Sequence, residues 1–134
     1  MPGQYEQKWQ AVLDALQSDA TALGLPAEAV RRGEFGRKPA ASPPYLLVYV
    51  EPEASIATAG GEILDLHYRL IIFSVEADAE QAKAITAAWD RAVRAYQIIL
   101  QNSLGGALTD GTPPLRVDFV SGNLAVVVLE MEAW

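Results

Sequence analysis

Few side chains in this sequence are placed to do chemistry, and each that could has a plainer use. The single histidine, His67, stands between Asp65 and Arg69 in the alternation Asp65-Leu66-His67-Tyr68-Arg69. A catalytic imidazole needs a nucleophile to activate and a partner to orient it, and nothing in the sequence nominates either. The side chain therefore reads as solvated or interfacial. Glu76, Asp78 and Glu80 recur at every second residue, as ligands of a divalent ion could. Asp78 and Glu80 are already accounted for, however, as the N-cap and dipole partner of a helix that follows. Glu51 and Glu53 flank Pro52 and have the look of an acid/base pair, but at a strand end they read more simply as solvated charges.

The glycine pairs do no better. Neither Gly60-Gly61 nor Gly105-Gly106 precedes a helix carrying Lys-Ser/Thr, and no G-x-G-x-x-G occurs, so no phosphate cradle is present. Gly105 to Pro114 lacks the alternating oxygens of a calcium loop and reads as a linker. The chain has no cysteine, which removes disulfide frameworks, zinc-thiolate sites and thiol catalysis together. The expectation is a protein that is not an enzyme and uses no cofactor or metal.

Charge is more informative. Arg31, Arg32, Arg37 and Lys38 form a local basic segment offset only by Glu34. Two readings stay open: a solvated loop, or a surface that docks against an acidic face of an identical subunit or of a partner. In the second reading all four are exposed, and reversing their charge leaves the fold intact while weakening association. The 134 residues carry 17 acidic and 10 basic side chains, a net charge of -7. Residues 1–40 hold five of each sign, so the whole excess lies in residues 41–134. An acidic chain argues against a broad nucleic-acid-binding face. No stretch reaches 18 apolar residues and the N-terminus lacks a signal-peptide pattern, so the chain is expected to be soluble, away from the membrane and not exported by a signal peptide.

The elements that must position these residues can be read from periodicity. Tyr5, Trp9, Val12, Leu13, Leu16 and Leu23 share one helical stripe, predicting a helix over Gln4 to Leu23 that stops at Gly24 and Pro26. Residues 25–44 are mostly loop, in which Ala29, Val30 and Phe35 could pin a short strand or turn. Tyr45 to Glu51 is β-branched and aromatic and reads as a strand ended by Pro52. Glu62 to Glu76 reads as one long strand, alternating at first and apolar on both faces from Leu70 to Phe73. Asp78 with Gln81 makes a capping box, and a second helix is predicted from Ala79 to about Gln101. Its inward stripe would be Ala82, Ile85, Trp89, Ala92, Val93, Tyr96 and Leu100. Leu115 to Val120 and Leu124 to Glu132 are strands joined by a tight turn at Ser121-Gly122-Asn123. The expected fold is a single α+β domain, with a mostly antiparallel sheet of about four strands and two helices packed on one face.

The long strand carries a functional implication. Fifteen extended residues span on the order of 50 Å, whereas a compact domain of this length is roughly 36 Å across. If unbroken, the strand overhangs its own domain, with Pro52 to Gly61 as the tip of a protruding hairpin. Such a hairpin bears unpaired backbone edges that are either protected or paired with another chain; the plainer alternative is a bend that folds the strand back. Arg31, Arg32, Arg37, Lys38, Glu53, Ser55, Ile56, Thr58 and His67 are accordingly the candidate subunit or partner interface.

Taken along its whole length, the chain resembles the tail terminator, or tail completion, proteins of tailed bacteriophages of the lambda minor tail protein U type. The resemblance lies in the layout: an N-terminal helix, a basic irregular segment, PPYLLVYVEP, a small-residue loop, EILDLHYRLIIFSVEAD, the helix AEQAKAITAAWDRAVRAY, and the closing strands LRVDFV and NLAVVVLEMEAW. It implies a homo-hexameric ring in the virion, at the head-proximal end of the tail, assembled in the host cytoplasm. The ring would cap the tail tube protein, end its polymerisation and offer a surface to a neck or head-completion protein. Genomic DNA would pass through the lumen without specific binding. Another phage neck or head-tail joining protein, or a monomeric ligand-binding domain, remain the alternative readings.

Overall fold

A computed structural model of the chain describes residues 3–33, 42–56 and 64–134. The element order is α1 (Gln4–Ser18), β1 (Val30–Arg32), β2 (Tyr45–Ile56), β3 (Leu64–Ala77), α2 (Gln81–Gln101), β4 (Gly105–Gly106), β5 (Leu115–Ser121) and β6 (Leu124–Ala133). The strands form one sheet in the order β1-β2-β3-β6, and β4 and β5 share the far edge of β6. β1 runs parallel to β2, and every other described pairing is antiparallel. The α+β class and the mostly antiparallel pairing match the sequence reading, while the sheet has six strands instead of about four and one parallel pair at its edge. Both additional strands are very short. β1 is three residues inside a segment read mostly as loop, and β4 is a glycine pair inside the expected linker. Glycine is what fits β4, because a Cβ on Gly105 would lie 2.5 Å from the Glu132 carbonyl oxygen.

α1 departs from the expected single helix through Leu23. It ends at Ser18, Asp19 takes a non-helical conformation, and a tighter 3-10 turn spans Ala20–Leu23. The stop itself is as expected: Gly24 is left-handed, its N–H bonds Thr21 O, and the Leu25 N–H reaches back to Ala20 O, with Ala20 and Leu25 both buried. Pro52 does not end β2, which continues to Ile56. β1 pairs only with Leu46 to Val48, so Pro52 lies on an open stretch of edge where its missing N–H breaks no described ladder.

The core lies between the sheet and both helices. Leu46, Val48, Val50, Leu70, Ile72, Leu129 and Met131 alternate onto one face and meet Trp9, Val12, Leu16, Ile98 and Ile99. The stripe that α2 turns inward is not the expected one. Ala84, Ala88, Ala92, Ala95, Ile98 and Ile99 are buried, whereas Trp89 is 38% and Leu100 42% exposed. Small side chains allow the helix axis to approach the strands, and Ala88 and Ala92 pack directly on Val127. Bulk was the wrong guide here, because fit to a nearby sheet favours alanine. The capping box is also absent: Glu80 occupies the N-cap, Asp78 Oδ1 accepts the Glu80 N–H at 2.8 Å, and the Gln81 amide donates to Gly122 O.

Ala92→Leu should therefore cost about 1–3 kcal/mol through overpacking, and Leu100→Ala clearly less. Urea unfolding of the two variants measures the difference, and the reverse order would contradict the inward alanine stripe.

Candidate assembly surface

The period-two alternation that buries one sheet face sends Glu51, Glu53, His67, Arg69, Glu130 and Glu132 to the other. β2 and β3 stay paired four steps beyond the last β3–β6 pair, Tyr68 with Ala133. Those steps are Glu53 with His67, Ala54 with Leu66, Ser55 with Asp65, and Ile56 with Leu64. This two-stranded arm adds roughly 13 Å at ~3.4 Å per residue. Of the expected interface residues, Glu53, Ser55, Ile56 and His67 lie on its backbone. Thr58, the rest of the tip and Glu62 lie outside the described residues.

Charges converge where the arm leaves the sheet. The Arg69 guanidinium reaches Glu53 at 3.5 Å, Asp110 at 3.5 Å and Glu130 at 3.6 Å, and His67 Nδ1 stands 3.7 Å from Glu132 Oε1. Arg116 holds Glu130 from the β5 side at 3.0 Å. The cleft lined by Glu53, His67, Arg69, Asp110 and Glu132 is about 250 Å³. Asp110 is held below the usual carboxylate range, chiefly by its hydrogen bonds from Thr112 and further by Arg69. Three carboxylates from three elements thus share one cation, which clasps the arm base to β6 and to the α2–β5 connection. Arg69, Asp110, Glu130 and Glu132 were not among the expected interface residues. Their signal was present in the alternation of His67 with Arg69 and of Glu130 with Glu132, but joining the two pairs requires the strand register.

The basic segment divides. Arg31 is exposed at the sheet edge, its Nε donating to Glu28 O. Arg32 makes a two-pronged contact with Glu6 at 2.6 and 2.7 Å, while its guanidinium lies 4.1 Å over the Trp9 ring. It clamps α1 to β1, so reversing its charge would test the fold as well as any docking. Gly33 belongs to the same corner, since a side chain there would run into the Tyr49 ring, which packs edge-on to Trp9. Arg37 and Lys38 lie outside the described residues.

The other polar candidates have structural partners. Glu76 pairs with Arg91 at 2.9 Å, largely out of solvent, and Arg91 also donates to Leu23 O. Glu80 pairs with Lys83 one turn along α2. Among the described residues no three His, Asp or Glu side chains are grouped to hold a metal ion, and no helix is long and apolar enough to cross a membrane. No protein-family model and no curated protein matches the chain.

Arg32 holds the Glu6 carboxyl below its ordinary value of 4.5, mainly through the hydrogen bonds between them. A depressed carboxylate contributes stability that is complete above its unfolded pKa and is lost as pH falls through the lower folded value. Glu6→Gln should accordingly lose the part of the acid-induced destabilisation that begins below about pH 4.5. Unfolding midpoints taken from pH 7 to pH 3 measure this, and an unchanged acid profile would show that the clamp contributes nothing.

Proposed function

We propose that this chain is a virion structural subunit of the phage tail terminator type. Copies of it close into a ring, hexameric in the family it resembles, that caps the tail tube, stops tube growth and presents a surface to a neck or head-completion protein. The observation that carries the reading is the arm. A two-stranded extension beyond the sheet body, clasped at its base by Arg69, is costly to keep unless it reaches something. A ring needs two unlike surfaces on each subunit, one meeting the other around the circle. From Glu53 to His67 the chain contains three acidic residues and no Lys or Arg, whereas Arg31 to Lys38 contains four basic and one acidic. The acidic arm of one copy would meet the basic edge of the next, and the order of elements along the chain supports the same family.

In this account the remaining acidic surface faces partly into the lumen, where like-charge repulsion keeps passing DNA from adhering. The protein works at the head-proximal end of the tail, after assembly in the host cytoplasm.

Two experiments test the proposal. Tails assembled without this protein should carry overlong tubes; tubes of normal length that lack heads would point instead to a head-tail joining protein. At the interface, Arg31→Glu should weaken self-association at low salt while leaving the unfolding midpoint in place. Association unaltered by that change would leave the basic edge as a solvated surface.

A further inference from the structure

Among the described residues the arm's outer backbone edge is open, and its orientation can be worked out. The Gly33 N–H donates to Val48 O at 2.8 Å, so the Val48 carbonyl points away from β3 toward the outer edge of β2. Because successive peptide groups alternate, Val50, Pro52, Ala54 and Ile56 direct their backbone groups to that same edge. β1 covers only Leu46 to Val48, and among the described residues no strand pairs with β2 further along. Among the described residues the outer edge from Val50 to Ile56 therefore carries no paired strand.

We infer that Pro52 guards this edge, so that a second copy meets the arm through side chains and not by adding a strand. Proline is the one residue with no N–H to give. At Pro52 the loss falls on the outer ladder, and the inner pairing with Tyr68 is kept. An incoming strand would find a donor missing in the middle of the edge and a ring in the way. The other sheet edges carry their own guards. β1 is three residues long with Arg31 and Arg32, and β5 is broken by a register shift between Val117 and Phe119, with the exposed Asp118 at the irregularity. Short strands, charges, bulges and proline are the devices by which natural sheets avoid edge-to-edge growth. For a subunit that must close a ring of fixed size, uncontrolled sheet extension is the competing assembly. The inference rests on the proposed ring only for the identity of the partner.

Pro52→Thr restores the donor and adds a β-branched side chain. Sedimentation across a range of concentrations, with hydrogen exchange of the Val50, Ala54 and Ile56 amides, reads the outcome. The variant should form larger species that grow with concentration, and in them these amides should become protected. In wild-type protein, assembled or dilute, the Ala54 and Ile56 amides should exchange at the same rate. Two results would overturn the inference: protection of those amides when wild-type protein assembles, or a variant that matches wild type in mass. Aggregation of the variant with those amides still exchanging freely would count against it equally. Failure of the ring is a separate result: normal tail length without the protein defeats termination, even if Pro52→Thr recruits strands as expected.

Discussion

Because β3 is hydrogen-bonded along both edges, its two-residue alternation decides where the charges and apolar side chains of the central sheet end up. Leu70 and Ile72 point to the helices together with Val48, Val50, Leu129 and Met131 of the neighbouring strands. His67 and Arg69 consequently point the other way, into a row with Glu53 and Glu132. A slip of one residue would bury that row and expose the core. Apolar burial over the whole sheet thus holds the charged clasp in place, and the clasp's own ion pairs, at 3.5–3.6 Å and partly solvated, need only orient the arm.

The same division of labour recurs at the sheet's other side. α1 is seated by Trp9, Val12 and Leu16, and the Arg32–Glu6 contact fixes how its first turn meets β1. Arg91 does likewise for α2, bonding Glu76 on β3 and Leu23 O in the turn after α1. Charged side chains in this protein mostly orient elements whose burial supplies the stability. Arg31 joins no two elements in this way, its described side-chain bond being the local one to Glu28 O, and it is there that the proposed ring contact falls.

Much of the fold was legible from periodicity. The C-terminal end of β3, the ends of β5 and β6 and the stop at Gly24 followed to within a residue from alternation and turn residues, and so did a two-stranded overhang, except that β2 runs on past Pro52. What escaped has identifiable physical reasons. β1 and β4 are too short to show a period, and they exist because the edges of β2 and β6 can accept them. Pro52 reads locally as a terminator, yet its missing N–H faces away from β3 and breaks no described ladder. The inward face of α2 was misassigned because its large residues form a second stripe beside the alanines that touch the sheet. The arm-base cluster required register, since Glu53, Arg69, Asp110 and Glu130 come from four separate segments.

The proposed ring makes one contact that can be read directly, and the absence of cysteine from the chain makes the reading clean. Glu53→Cys and Arg31→Cys proteins, mixed and assembled on tail tubes, can be joined between these two positions only across two copies. Short-span cross-linking should yield dimers in the mixture that neither variant gives alone. Assembly of the mixture on tubes without such dimers would contradict an arm-to-edge ring.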